Sequence, residues 1–283
     1  MNKQYKWIIH HAYSSGAWKK GGLLRYWMDR LDLHPRTTIK LLRANAYSFV
    51  TKKKIPVFIH IPKTGGTYVN SCFPSNGFVS LGHALLRESL GDDHVPVGLI
   101  GTRFRPLKRH VLFSTVRNPL TFFRSYYHHV IGHGKWYNSN HYDYQAAQRG
   151  FEYLMQTIMD REDKWPSQKF LFPQLFNQSG QLVVSWINKN EMLDEDMALF
   201  AKSLGYRFKK GEKKRAAPVR EMAEYYSDAL QQQVHEVYKR EFALFGYDKD
   251  SCMDNNSVPL HRDVASHVLT YDYEKDDLKY GSY

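Results

Sequence analysis

From residue 55 onward the chain alternates short apolar runs with longer stretches of helical spacing. The runs Val57–Ile61, Gly77–Leu81, Val97–Gly101, His110–Val116 and Leu182–Ile187 predict strands. Apolar positions three and four apart predict helices over Gly66–Cys72, Ala84–Leu90, Leu120–Ile131, Tyr142–Asp160, Asp194–Leu204 and Val219–Phe245. Short β-rich runs separated by helices imply an α/β fold, a three-layer sandwich around a central, mainly parallel β-sheet. Ligands of such sheets bind at the carboxyl ends of the strands. Before residue 55, "GGLLRYWMDRLDL" and "TTIKLLRANAYSF" also carry helix-like spacing, with a break at His34-Pro35. The pattern divides the chain into a helical extension over 1–54, a main domain over 55–248 and a tail over 249–283. Neither an internal repeat nor a low-complexity segment interrupts it.

Charge sharpens this division. Of 283 residues 42% are hydrophobic and 15% aromatic, enough for a substantial single core, and the formal net charge is +12. Residues 1–54 hold twelve Lys/Arg against Asp29 and Asp32, whereas the last 36 residues hold eight Asp/Glu against four Lys/Arg. The global basicity therefore describes the N-terminal arm and does not make the chain a nucleic-acid binder. Two readings of the arm stay open: a solvated helical extension packed on the domain, or a basic, Trp/Tyr/Leu-bearing surface for anionic lipid or a polyanionic glycan. Cys72 and Cys252 exclude a disulfide scaffold. Apolar runs stay short of the roughly 18 residues of a membrane span, and "KWIIHHAY" is too short and polar for a signal peptide. The expected location is cytoplasmic, peripheral to a membrane if the arm engages lipid. A Golgi location would require an N-terminal anchor that has been removed.

Two loops carry the candidate chemistry. In "VFIHIPKTGGTYVN" an apolar strand runs into Pro62, which stiffens its exit. Gly65 and Gly66 permit a sharp turn and close approach of the backbone to an anion. Thr67 then opens a helix whose unpaired N–H groups and dipole favour negative charge. Lys63 adds a cation, and Thr64 and Thr67 add hydroxyls. The nucleoside-triphosphatase pattern G-x-x-x-x-G-K-[ST] is absent, because Lys63 precedes the glycines. The predicted strand ends carry His83, Thr102 and Arg117 rather than an Asp for Mg²⁺, so the site is read as holding an anion without a metal. In "HVLFSTVRNPLTFFRSYYHH" a strand ends at Val116, and Arg117-Asn118-Pro119 starts a helix with Pro in its favoured first turn. The Arg117 fork suits a phosphate dianion, and Ser125, about two turns on, adds a hydroxyl.

Together these segments resemble the sulfotransferases that use 3'-phosphoadenosine 5'-phosphosulfate (PAPS), closer to their carbohydrate-modifying branch than to the small-phenol branch. Pro62 to Thr67 is similar to that family's 5'-phosphosulfate loop. Arg117 and Ser125, in an Arg-Asn-Pro frame followed by Ser-Tyr-Tyr-His, are similar to its 3'-phosphate site. "QLVVSWI" followed by "NEMLDED" resembles its late strand and Glu-x-Leu-x-x-Asp helix, and "ALFGY" at 243–247 resembles its closing segment. The resemblance covers about residues 55–248. It departs at "RFKKGEKKRAAPVR", which replaces the family's Asn- and Ser-bearing loop with Lys209, Lys210, Lys213, Lys214 and Arg215. That segment reads either as a solvated charged loop or as a lid over nucleotide or acceptor.

The resemblance implies a P-loop-like sulfotransferase fold, PAPS as donor with PAP as product, no required metal, and a glycan or glycolipid acceptor. It implies Lys63 at the bridging oxygen and the Gly66–Thr67 amides on the 5'-phosphate. His83 follows the predicted strand "GFVSL" at the sheet end that carries Lys63, and is the candidate general base; a helix-cap role is its structural alternative. Glu88 is placed to orient His83 or replace it. Trp165 and Gln168, in "DKWPSQKF", are candidate acceptor contacts, with core packing the alternative for Trp165. His60 is read as structural, and at most one of His128 and His129 faces the cleft. Two other classes stay open: a P-loop kinase or NTP-dependent enzyme, and a non-catalytic polyanion-binding module.

Overall fold

The structure is a computed structural model that describes residues 35–73, 77–81, 109–132, 142–161, 171–176, 180, 182–211, 222–247, 268–272 and 277–281. Strands β1 (Ile55–Ile59), β2 (Val79–Ser80), β3 (His110–Val116) and β4 (Trp186–Lys189) form a parallel sheet in the order β2-β1-β3-β4. Val57 pairs with Val79 on one side and Leu112 on the other, and Ser114 pairs with Ile187. A hairpin of β5 (Val268–Asp272) and β6 (Asp277–Gly281) lies in the C-terminal tail. The helices are α1 (Pro35–Thr51), α2 (Gly66–Cys72), α3 (Pro119–Gly132), α4 (Tyr142–Gln148), α5 (Phe151–Met159), α6 (Leu193–Ser203), α7 (Asp228–Val237) and α8 (Lys239–Phe245), with a further single turn at Phe172–Leu175.

The sheet is covered on both faces, which is why β1 is apolar without alternation. Ile55, Val57 and Ile59 join Leu112, Val116 and Ile187 in one cluster, which α3, α4, α5, α7 and α8 complete through residues such as Leu120, Ala147, Leu154, Leu230 and Phe245. Phe58 and Phe113 enter a second cluster with Val69 and Cys72 of α2 and Met197 and Phe200 of α6. Phe113 lies 4.3 Å from Phe200 and 5.1 Å from Phe58, ring centre to ring centre. Each such pair adds about 0.5–1.5 kcal/mol beyond the area it buries.

Several boundaries differ from those predicted. β1 begins two residues earlier and includes Pro56. Ile55 donates its N–H to Arg109 on the β3 side, so the donor Pro56 lacks would point to the β2 side. There the pairing covers only Val57 and Phe58, and nothing is lost. The run predicted at Leu182–Ile187 becomes β4 at Trp186–Lys189, while Leu182 makes only an isolated bridge to Phe176. Asn188 and Lys189 are buried despite their polarity, which hid the true end of the strand. The helix expected over Tyr142–Asp160 breaks at Gly150, whose φ is +120°. That over Val219–Phe245 splits into a 3₁₀ turn at Met222–Glu224, then α7 and α8. Ser227 caps α7, its hydroxyl accepting from Leu230 N at 3.3 Å. The strand predicted at Val97–Gly101 and the helix at Ala84–Leu90 lie outside the described residues.

Helix α1 docks on the main domain. Leu41, Ala44 and Ser48 are buried, and Ser48 donates to Lys53 O at 2.6 Å. Asn45 Oδ1 lies 3.3 Å from His110 Nε2, and Tyr206 donates to Lys54 O at 2.9 Å. Among the described residues no helix is long and apolar enough to cross a membrane.

Candidate functional site

The strand order supplies a topological feature that no motif carries. The chain leaving β1 returns as β2 on one side of it, while the chain leaving β3 next pairs as β4 on the other side. The carboxyl ends of the neighbouring strands β1 and β3 therefore flank a switch point, the usual ligand position in an open α/β sheet. The two candidate loops sit there.

The first loop is drawn tightly onto the domain. Lys63 adopts a φ of +63° and Gly65 one of +98°. A left-handed conformation costs a non-glycine residue about 1–2 kcal/mol, so the surroundings must hold Lys63 in place. They do so through its carbonyl, which accepts from Arg117 Nη1 at 3.1 Å, and through the next carbonyl, Thr64 O, which accepts from Asn190 Nδ2 at 3.0 Å. Thr64 is buried and turns its hydroxyl inward to donate to Ile61 O at 2.8 Å. The expected ligand-facing hydroxyl there is thus an inward brace, while Thr67, in the first turn of α2, is exposed.

The glycines answer an internal need as well. A Cβ on Gly66 would stand 2.0 Å from His60 Nε2, and one on Gly65 would stand 2.7 Å from Asn190 Nδ2 and 2.8 Å from Leu193 Cδ2. His60 is buried beneath the loop, with its ring 5.5 Å from that of Phe58. Its place is the structural one expected.

Arg117 leaves β3 where α3 begins. Asn118 caps that helix, its Oδ1 accepting from Leu120 N at 2.9 Å, and Pro119 occupies the first turn. Arg117 Nε donates to Thr121 Oγ1 at 3.0 Å, and Ser125, half-buried, follows Thr121 by four residues on the same helix face. Burial lowers the Arg117 pKa; Glu191 opposes that shift and the nearby Arg124 adds to it. At this end of its range an arginine stays charged.

Glu191 locks the back of the site. Its Oε1 accepts from Asn118 N at 3.0 Å and from Thr121 Oγ1 at 2.9 Å, and its Oε2 accepts from Tyr247 OH at 3.0 Å. Tyr247 reaches it because Gly246 ends α8 in the left-handed region at φ +61°, with Tyr247 N donating to Phe242 O at 2.9 Å. Burial, followed by the charge of Glu191, raises the Tyr247 phenol well above its ordinary value. Behind it Lys189 is fully buried, its Nζ 4.8 Å from the centre of the Tyr247 ring. Asp196 Oδ2 accepts from Lys189 N at 2.7 Å, and burial pushes the Asp196 carboxyl up to about 6.

On the other side of α2, residues 206–211 run along the helix. A Cβ on Gly211 would meet Tyr68 O at 2.7 Å. Lys210 pairs with Asp194 at 3.0 Å, and Tyr68 donates to the same carboxylate. The start of the charged segment is therefore fixed to α2 and α6; Lys213, Lys214 and Arg215 lie outside the described residues. Burial pushes the Cys72 thiol up to about 12, which leaves it inert.

Of the residues singled out in the sequence, Lys63, Thr64, Gly65, Gly66 and Thr67 come together with Arg117, and Ser125 extends that face. His83, Glu88, Trp165 and Gln168 lie outside the described residues. Asn190, Glu191 and Tyr247 entered the sequence reading only within supporting motifs, yet they brace both loops. Lys189 was not singled out; a lone Lys after an apolar run looks like a strand end, and its burial has no signal in the pattern. His128 Nε2 lies 2.6 Å from Tyr225 OH. Among the described residues no group of three or more His, Cys, Asp or Glu side chains is placed to hold a metal ion. No protein-family model matches the chain, and no curated protein shows significant similarity to it.

Proposed function

We propose that this chain is a PAPS-dependent sulfotransferase of P-loop-like fold that sulfates a hydroxyl of a carbohydrate acceptor. One observation carries the reading: Arg117 holds the Lys63 carbonyl at 3.1 Å across the switch point. The two segments that separately resemble the donor's two phosphate sites thus touch each other. The local charge balance supports an anionic ligand. Arg117 and Arg124 lie close enough to influence each other and the backbone of Lys63 joins them through Arg117, while the nearby carboxylate of Glu191 accepts from Asn118, Thr121 and Tyr247.

When bound, PAPS supplies an activated sulfuryl group. In this reading the bond from sulfur to the acceptor oxygen forms as the bond from sulfur to the bridging oxygen breaks. Lys63 stabilises the charge that builds on the bridging oxygen, and the amides at the start of α2 orient the 5'-phosphate. Arg117 and Ser125 anchor the 3'-phosphate. His83 takes the acceptor's proton, with Glu88 beside it, and Trp165 and Gln168 contact the sugar; these four assignments rest on the sequence. Substituting the arm's polyanion surface for this site would make the protein a binding module without turnover.

Thermal shift with PAP and with ATP-Mg²⁺ tests the donor. PAP at 100 times its Kd stabilises the fold by about 2.7 kcal/mol, and ATP-Mg²⁺ gives the smaller shift. A larger shift with ATP-Mg²⁺ would transfer the site to a kinase. Lys63→Ala is expected to melt like the parent and to transfer no labelled sulfate from PAPS; full transfer by that variant refutes the role given to Lys63.

A further inference from the structure

Helix α1 has two apolar faces, and only one of them is buried among the described residues. Leu41, Ala44 and Ser48 face inward and are buried. On the opposite side Leu42, Ala46, Phe49 and Val50 recur at the spacing of a single stripe. Leu42 is 57% exposed, Phe49 66% and Val50 79%. A surface helix places polar residues on that face, so this stripe is an exposed apolar patch to which the described residues assign no structural role. Exposed cations occur on the same helix and just beyond it: Lys40, Arg43, Lys52 and Lys54 are exposed, and Lys52 Nζ stands 4.6 Å from the centre of the Phe49 ring.

We propose that the outer face of α1 docks on an anionic lipid surface, with Phe49, Val50 and Leu42 entering the acyl boundary and the flanking cations engaging the headgroups. Charge complementarity selects this occupant. Residues 1–54 carry twelve Lys/Arg against two Asp, so folding the arm back over the stripe, or pairing it with a second copy, brings like charges together. The acidic tail matches the charge as well, and cover of the stripe by that tail is the outcome that the melting measurement below detects. The arm also holds Trp7, Trp18 and Trp27, three of the six tryptophans in the chain, and tryptophan is the residue enriched at the membrane interface. A helix lying in the interface with a basic rim and an aromatic-aliphatic ridge has the chemistry of a monotopic anchor. Each Lys/Arg beside an anionic leaflet adds attraction that salt weakens. The inference does not depend on the reaction proposed above.

Co-sedimentation of the full chain with vesicles tests it, comparing phosphatidylcholine alone with phosphatidylcholine containing about one-third phosphatidylserine. The protein is expected to pellet with the anionic vesicles only, and less so as salt is raised. Phe49→Ser/Val50→Ser is expected to melt at the parent temperature and to bind those vesicles about tenfold more weakly or worse. Lys52→Glu/Lys54→Glu weakens binding and flattens its salt dependence. Parent-like vesicle binding by the serine variant overturns the proposal, since the stripe then contributes nothing. A lowered melting temperature in that variant, with vesicle binding unchanged, also overturns it, because the chain itself then covers the stripe. Capture by an anionic polysaccharide that survives the serine substitutions, with no vesicle binding, assigns the face to a glycan instead.

Discussion

Two side chains at the site are held where their chemistry alone would not put them. Lys63 sits in the left-handed region, and the bond from Arg117 to its carbonyl lies across the same turn. Asp196 is a fully buried carboxyl whose pKa burial raises to about 6; the Lys189 amide and charge oppose that shift, and Glu195 and Glu191 add to it. A raised folded-state pKa means that the native state binds the proton that the unfolded state, with its value near 3.8, has already lost. Stability from this group is therefore complete below the unfolded value and is lost as pH rises toward about 6. Asp196→Asn can keep the hydrogen bond from Lys189 N while removing the titration. The stability of the parent relative to the variant should fall between pH 4 and about 6 and level off above that. Denaturant midpoints of both proteins across this range check it. A difference that rises with pH would mean that pairing with Lys189, rather than burial, governs Asp196.

At the scale of elements, short and strongly patterned segments were legible. β3 and α2 fall on their predicted bounds because each is closed by a local signal, Arg117-Asn118-Pro119 after one and Gly65 before the other. Gly150 could have been read as a break between α4 and α5, but the apolar spacing continues across it and hid the turn. The tail showed only its acidic charge, yet it pairs Val268–Asp272 with Asp277–Gly281. The candidate site was legible as two loops at strand ends that the resemblance assigns to one donor, but not as neighbouring strands. Strand order brings β1 next to β3, and strand order depends on contacts far apart in sequence. Read from the pattern, the loop glycines face a ligand, whereas in the fold their bare Cα positions accept His60, Asn190 and Leu193. Gly66→Ala tests how far this inner packing governs the loop. With His60 2.0 Å from the added Cβ, the variant should lose about 1–3 kcal/mol of stability. Gly66→Ala combined with His60→Ala should recover part of that loss, since the clash is relieved although a cavity remains. Equal denaturant midpoints for Gly66→Ala and the parent would show that the loop can lift away from His60 at no cost.

For the molecule as a whole, the division drawn at residue 54 separates charge better than it separates structure. The basic composition runs from Met1 to Lys54, but α1 already belongs to the folded body. Leu41 and Ala44 enter the same apolar cluster as Ile55 and Val57. Ser48 fixes the turn into β1 through Lys53 O, and Tyr206, stacked 6.5 Å from Tyr47, closes over Lys54 O. Burial of Leu41 alone is worth about 1.5–3 kcal/mol, and a domain of ordinary stability has about 5–15 kcal/mol in total. Removing residues 1–34 leaves every one of these contacts in place. That truncation should still unfold cooperatively, and it should keep the PAP shift that the full chain is proposed to show. Removing residues 1–54 deletes the helix that covers this side of the sheet. It should yield a protein that aggregates or melts without a sharp transition, and its loss of any ligand would then say nothing about where that ligand binds. Calorimetry of the two truncations separates the cases. A sharp, parent-like transition after removal of 1–54 would show that α1 only rests on the domain, and would return the boundary to residue 54.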